Sequence, residues 1–444
     1  MRWGPVSARL RNSQLSVGCD NHQAGLGVMQ PMHSVNQYMQ PGYEGFLHHS
    51  VPTMAEMLRA GGYHTYMAGK WHLGIPRHTW PVARGFDRSY AFLGGGASHF
   101  HDARPLSAGE TLQTQYVEDD QAIDDLPEDF YSSRTYVDKM IEYTSSQDDD
   151  KPFLAYLAFT APHDPLQVPD EWLDRYKGRY DDGYDAEIGR MIDSLRELGK
   201  LDDTVIFFLS DNGANPKEPH FYTPNTVEQI ERDFDNSLDN YGRIGSFISV
   251  GGAWAEVSNT PLSYFKTTTY EGGIQTPLIV AGGPVEKRGI VTDQMLHVAD
   301  IVPTMLELAG LERPTERNGE AVPELYGRSL APMLTGASDG PVRGEDDALC
   351  FEMIECRSVL KGNWKSVLMV PPYGTGERWE LYNLGDDPRE KHDLAEQMPE
   401  KVAEMQAAWD EYAERVGYIE GNGVSAVGEL GGVERFFEYR LPED

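Results

Sequence analysis

Cysteine is scarce in this chain of 444 residues: Cys19, Cys350 and Cys356 are all it has. They form no C-x-x-C pair and no metal-ligand spacing, and an odd count excludes a fully paired disulfide framework. A bridge between Cys350 and Cys356 is the pairing that stays open. Long apolar runs are missing as well. The longest, "PFLAYLAFTAP", is about half of the roughly 18–20 residues that a bilayer-crossing helix needs, so it reads as a strand buried on both faces. The opening "MRWGPVSARLRNSQL" carries arginines but no apolar stretch of a secretory signal. Basic residues are the third shortage, 38 against 71 acidic ones, for a formal charge of −33. Nucleic-acid binding needs basic patches that neutralise phosphates, so that class of partner is excluded. The acid excess suits a solvated surface. If the ligand is an anion, its positive partners have to be gathered locally.

What is present is a chain long enough for two or three domains, or for one large α/β domain and a smaller one. Helix and strand signals alternate through its first three-quarters. "VPTMAEMLRAGGY" predicts a helix opened by Pro52 and a Thr53-x-x-Glu56 capping box and closed by Gly61 and Gly62. "YHTYMAGK" follows as a short strand. Val137, Met140 and Ile141 keep helical spacing, as do Ile188, Met191, Ile192 and Leu195 before Gly199. "TVIFFLSDNG" and "TPLIVAGG" read as strands, and "DIVPTMLELAG" as a helix with Pro303 near its first turn. Such alternation predicts a mostly parallel sheet sandwiched by helices. A boundary is expected in the Gly/Pro-rich stretch 336–344, dividing residues 1–335 from a smaller α+β subdomain at 336–444. There, short antiparallel strands surround a "KGNW" turn and "MPEKVAEMQAAWDEYAERV" makes an amphipathic helix. Two acidic stretches, "YVEDDQAIDDLPED" and much of 214–256, read as long loops.

Chemistry-bearing residues sit just past the apolar strands, where open α/β sheets carry their functional groups. "GKWH", "APHDP" and "SDNG" are therefore expected to converge at one edge. Asp211 and Asn212 set a carboxylate beside an amide oxygen, which suits a hard cation such as Ca²⁺ and equally suits a capped turn. His163 stands between two prolines, either as a ligand-facing group or as a hydrogen-bonded loop residue. Lys70 and His72 flank Trp71; their plainer reading is a snorkelling lysine and a satisfied histidine. Lys266 precedes Glu271 and a glycine pair. "GGGASHFHD" offers Ser98, His99 and His101 in a glycine-rich turn.

Taken together and in order, these blocks resemble the sulfatase family of the alkaline-phosphatase-like superfamily. "MAEMLRAGGYHTYMAGKWHLG", "RGFDRSYAFLGGG", "APHDP", "FFLSDNGAN" and "YFKTTTYEGGIQTPLIV" match its blocks, as do "DIVPTMLELAGL", "GRSLAPML" and "ELYNLGDDPREKHDLA". The similarity spans about residues 18 to 416 and leans toward the bacterial arylsulfatases. It implies that Lys70 and His72 contact the nucleophile and the sulfate, that His163 and Lys266 bind sulfate oxygens or protonate the leaving oxygen, and that Ser98 faces the sulfate. It implies Ca²⁺ on Asp211 and Asn212, a sulfated small molecule or sugar as substrate, and a periplasmic or secreted location. Fixed cations aimed at oxygens that gain charge during transfer lower the barrier electrostatically.

The family nucleophile, a formylglycine made from the first residue of C-x-P-x-R, has no counterpart. Counting back from Gly18 puts Asn12 at the arginine and Ala8 at the cysteine. A shift by one aligns Arg11, but sets Ser7 at the cysteine and Arg9 at the proline. Cys19 lies too late and is followed by "DNHQ". The family's first strand, ending in paired metal-binding aspartates, also finds no match before residue 18. These gaps predict an N-terminally shortened chain, inactive as it stands, with weakened Ca²⁺ binding and unpaired sheet edges. A phosphate or phosphonate ester hydrolase of the same superfamily, or a non-catalytic binder of sulfated ligands, are the alternatives.

Overall fold

The structure, a computed structural model, describes residues 6–11, 34–106, 116–170, 184–222, 225–286 and 289–423. Their strands are, in chain order, β1 (Val6–Arg11), β2 (His64–Lys70), β3 (Arg88–Phe92), β4 (Tyr116–Glu118), β5 (Gln121–Ile123), β6 (Phe153–Ala158), β7 (Ile206–Leu209), β8 (Gln275–Ala281) and β9 (Ile290–His297). Next come β10 (Glu316–Arg317), β11 (Glu320–Ala321), β12 (Ala348–Met353), β13 (Cys356–Lys361), β14 (Trp364–Leu368) and β15 (Glu380–Asn383). The described residues fall into two compact units.

One unit draws on Thr53–Asp202 and Lys217–Gly251. Its helix Met54–Ala60 starts on the capping box that the sequence predicts. The Thr53 hydroxyl accepts from the Glu56 amide, and the Glu56 carboxylate accepts from the Thr53 amide. Gly61 and Gly62, the latter at a φ of 91°, release the chain into β2. That strand is apolar in its middle and pairs in parallel with β3 on one side and β6 on the other. The helix Ser132–Ser145 covers β2 and β6, burying Tyr136, Val137, Met140 and Tyr143. The helix Tyr184–Glu197 packs on it in turn, with Met191 and Leu195 buried.

Two expectations are corrected in this unit. β6 is not buried on both faces: Leu154 alone is buried and the rest of the strand is half-buried. The sheet order β5-β4-β3-β2-β6 explains why, since β6 has one neighbour among the described residues. The acidic stretch after Tyr116 is also no loop at its start. β4 and β5 form a hairpin turning on Asp119, at a φ of 52°, a conformation aspartate tolerates. The Asp119 carboxylate accepts from Arg88 Nε at 2.9 Å and from the Ser89 amide at 2.8 Å, and Glu118 pairs with Lys139 at 2.7 Å. Asp119 thereby joins the hairpin to the sheet, and Glu118 joins it to the helix Ser132–Ser145.

The other unit draws on Met1–Pro52, Asp203–Pro216 and Gly252–Gly431. Its mixed sheet has the order β7-β8-β1-β9. β1 lies inside the sheet, antiparallel to β8 and parallel to β9. Val6 and Ala8 are buried in a cluster with Leu278, Val280, Leu296, Val298 and Leu334. Ser7 and Ala8, the positions aligned with a nucleophile, are thus consecutive residues of an interior strand. In this sheet β1 and β7 both run antiparallel to β8, while β1 pairs in parallel with β9. The mixed α/β class itself is as the sequence predicts.

The antiparallel sheet β12-β13-β14-β15 and the helix Pro399–Val416 match the predicted C-terminal elements. Met405, Trp409, Tyr412 and Val416 line the buried stripe of that helix and pack on Cys350, Val359 and Leu381. Cys356 faces the opposite side, among Tyr270, Val367, Met369 and Tyr382. Both thiols are free and buried, because strand alternation sends them to different faces. Across the boundary expected near 336, Ile274 shares a cluster with Leu349, Phe351 and Leu360.

Candidate active site

Three loops leave the carboxyl ends of the neighbouring parallel strands β2, β3 and β6. At the end of β2, Gly69 has a φ of 127°, and a Cβ there would meet the Ala158 carbonyl oxygen at 1.9 Å. Only glycine lets β2 and β6 run this close. Lys70 and His72 then bracket Trp71, which turns inward. Its amide donates to the Phe92 carbonyl at 2.8 Å and its Nε1 to the Thr79 carbonyl at 2.9 Å. Its ring stands edge-on to Phe86. With the indole anchored, Lys70 and His72 are held half-buried on either side of it. His72 itself sits at a φ of 50°.

The loop after β3 supplies Gly94, Gly95 and Gly96. A Cβ on Gly95 would lie 2.6 Å from His72 Cε1, and one on Gly96 would lie 3.0 Å from His163 Nδ1. The bare backbone of this turn is therefore the surface against which both imidazoles rest. His163 comes from the loop after β6. Its Nδ1 is 2.9 Å from the Asp164 carbonyl oxygen, which can only accept, so Nδ1 carries a proton. The Asp164 carboxylate is buried, 3.4 Å from the same nitrogen, and its Oδ2 accepts from the Tyr222 hydroxyl at 2.6 Å. The rings of His72 and His163 thus rest against one turn, and Lys70 ends the strand two residues before His72. Ser98 is buried nearby, but its hydroxyl is engaged by Asp102 Oδ1 at 2.5 Å and Gln167 Oε1 at 3.1 Å. His101 is exposed.

The remaining predicted residues gather in the other unit. β7 runs into Ser210, Asp211 and Asn212. The Gly213 amide then donates to the Gly273 carbonyl, and a Cβ on Gly213 would lie 1.8 Å from the Gly272 carbonyl oxygen. The Lys266 amide donates to the Ala214 carbonyl at 3.0 Å, while Asn259 accepts from the Ala214 amide and donates to the Tyr264 carbonyl. Lys266 is in this way tied to the loop bearing Asp211 and Asn212. Its neighbours Tyr264 and Thr267 have φ values of 62° and 78°. For a β-branched residue this is a strained backbone, kept only where the surroundings enforce it.

Enforcement comes from a buried charge cluster. Lys365 Nζ lies 2.9 Å from Glu271 Oε1 and 2.8 Å from Glu390 Oε1, all three side chains being shut from solvent. Glu390 also accepts from the Glu271 amide, and Ser263 donates to the Arg389 carbonyl. Both ends of the Lys266 segment are thereby fastened to the 389–390 turn. Burial, with Glu271 adding repulsion against the pull of Lys365, pushes the Glu390 carboxyl up to about 7.

Asp211 and Asn212 offer a carboxylate and an amide oxygen, donor types that Ca²⁺ accepts, but it gathers six to eight oxygens. Among the described residues no cluster of three or more His, Cys, Asp or Glu is placed to hold a metal ion. The donors fit in kind and fall short in number. Sequence reasoning offered His99 without its role as a bridge to the His163 loop, and missed the Asp164–Tyr222 pair. His99 stood inside the glycine-rich turn that marked Ser98. Nothing local marks Tyr222, because its partner is 58 residues away.

Parallel strands delivering basic side chains from their carboxyl ends, inside a mixed α/β fold, suit the binding of an anionic group. The comparisons make this specific. The sulfatase family model matches residues 10–311, and the model for the C-terminal part of N-sulphoglucosamine sulphohydrolase matches residues 263–415. An arylsulfatase of Klebsiella aerogenes is 37% identical over 385 residues, covering 74% of this chain and 82% of that protein. An uncharacterised sulfatase of Schizosaccharomyces pombe is 32% identical over 477 residues, covering 92% and 85%. The crystal structure of Ps i-CgsB in complex with k-i-k-neocarrahexaose superposes with a TM-score of 0.70 at 19% identity, covering 98% of this chain and 92% of that one. The structure of BT4656 in complex with its substrate D-glucosamine-2-N,6-O-disulfate gives 0.60 at 16%, covering 95% and 92%. This chain belongs to the sulfatase family, whose chemistry is the hydrolysis of sulfate esters.

Proposed function

We propose that the chain recognises sulfate monoesters, aryl sulfates first among them, through Lys70, His72, His163 and Lys266. The observation that carries this is the turn at Gly95 and Gly96, whose bare backbone seats the His72 and His163 rings. The role follows from charge. A sulfate group presents oxygens that gain negative charge as the ester bond breaks, and fixed donors aimed at them need no reorganisation during the reaction. Lys70 and His72 contact the sulfate, and His163 and Lys266 are each assigned to binding a sulfate oxygen or to protonating the leaving oxygen. The relative named arylsulfatase supports a ring-bearing alcohol. Ca²⁺, when bound, would withdraw charge from a sulfate oxygen, with Asp211 and Asn212 as two of its donors.

The sequence contains no C-x-P-x-R, and this favours a second state of affairs in which the chain as given binds sulfated ligands without turning them over. Isothermal titration with inorganic sulfate, beside an assay with 4-nitrophenyl sulfate, tests both. Binding of sulfate is expected, weakened about tenfold or more in Lys70→Ala, His163→Ala and Lys266→Ala, as befits loss of one charge-assisted hydrogen bond. Turnover is expected not to exceed that of buffer. Equal binding by all three variants would remove the proposed roles. Turnover like that of an intact sulfatase would show that a nucleophile exists elsewhere in the chain, and preference for 4-nitrophenyl phosphate would favour the phosphate-ester alternative.

A further inference from the structure

His99 belongs to none of the roles above, yet it is among the most completely enclosed titratable groups of its unit, about 1% exposed. Its Nε2 lies 3.1 Å from the His163 carbonyl oxygen and its Nδ1 lies 2.9 Å from the Ser132 hydroxyl. A carbonyl can only accept, so Nε2 carries the proton, and Nδ1 is left to accept from Ser132. One tautomer satisfies both bonds. The neutral form is also the one that burial favours, holding the imidazole below its ordinary range against the weaker pull of its carbonyl partners and of Asp164.

The rest of the loop is fixed by the same short stretch of chain. Gln167 Oε1 accepts from the His99 amide at 2.9 Å, and its Nε2 donates to the Ser246 carbonyl at 2.8 Å. The Ser132 amide donates to the His99 carbonyl, locking that helix start to the turn. His163 is therefore held by its ring against the Gly96 backbone, by its Nδ1 on the Asp164 carbonyl, by its amide on the Thr160 carbonyl and by its own carbonyl on His99.

We propose that His99 is a positioning residue for His163: a neutral imidazole whose Nε2–H clamps the His163 carbonyl, so that the ring stays seated on the glycine turn. This deepens the reading of His163 as a sulfate-binding group and rests on it for its functional meaning. A donor at Nε2 is what matters, and glutamine places an amide NH₂ at nearly the same distance from the backbone as that nitrogen. Alanine removes it.

The test has two readouts on the full chain. The first is the Cε1–H resonance of His163, assigned by its loss in His163→Gln, in protein free of sulfate. It is expected to move in His99→Ala and to return toward its original place in His99→Gln. The second is affinity for inorganic sulfate by titration calorimetry. It is expected to fall about tenfold in His99→Ala and to recover to within about threefold in His99→Gln. A purely structural His99 would lower the melting temperature of both variants while leaving the resonance in place, and that result overturns the proposal. If the protein does not bind sulfate, or His163→Gln binds it unchanged, the role of His163 fails; the resonance still decides whether His99 positions it.

Discussion

At the scale of single residues, the site depends on places where a side chain is forbidden. Gly69 combines a φ of 127° with a backbone oxygen 1.9 Å from where a Cβ would stand. Two penalties coincide, a backbone region costing of order 1–3 kcal/mol for an L residue and a contact that forces β2 from β6. Gly69→Ala is expected to cost at least roughly 3 kcal/mol in urea unfolding. Gly62→Ala, at a φ of 91° with no atom within 4 Å, carries the first penalty alone and should cost about 1 kcal/mol. Equal losses in the two would mean that the approach of β2 to β6 is looser than described. The same logic covers Lys70, since displacing β2 displaces the residue that ends it.

At the scale of elements, the segment that carries Lys266 is held by Glu271, Lys365 and Glu390. Lys365→Met leaves two buried carboxylates uncompensated, and about 3–5 kcal/mol of stability should be lost, read by chemical denaturation. The pH dependence has a definite sign. The Glu390 carboxyl titrates higher in the folded chain than its ordinary 4.5, so the native state binds this proton more tightly than the unfolded one. Its contribution is complete below about 4.5 and is lost as pH rises through about 7. Glu390→Gln should therefore flatten the decline in stability between pH 5 and 7.5; a slope unchanged from the parent would place the charge on Lys365 and Glu271 alone.

How much of this was legible varies with how local the cause is. The helix at Met54, the strand ending at Lys70 and the paired loops after β2 and β6 follow from capping, apolar runs and glycines within a dozen residues. β1 was not seen, although Val6, Ala8 and Leu10 alternate with Ser7, Arg9 and Arg11 in the period of a strand. Two arginines in six residues hide an interior strand whose partners, β8 and β9, lie far along the chain. Likewise, apolar composition made β6 look enclosed, whereas its exposure is decided by its place at the end of the sheet order. The residues of the candidate site were legible as types, and their supports were not: His99, Asp164 and Tyr222 take their meaning from partners outside their own stretch.

At the scale of the whole molecule, charge is the dominant fact. A formal −33 over 444 residues opposes compaction by self-repulsion. Raising sodium chloride from 10 mM to 1 M shortens the screening length from about 30 Å to about 3 Å. The melting temperature should rise by several degrees over that range, and a fall would show that attractive ion pairs such as Arg343 with Asp300 outweigh the repulsion. No helix among the described residues is long and apolar enough to cross a membrane. β1, inserted between β8 and β9, has a consequence for how the chain is made. It leaves the ribosome well ahead of both neighbours, which follow roughly 260 residues later. At about 5–20 residues per second that delay is on the order of 15–50 s. For that interval the nascent chain carries a central strand with nothing to pair against, and chaperone occupancy of its first residues should decide the yield of correctly assembled protein.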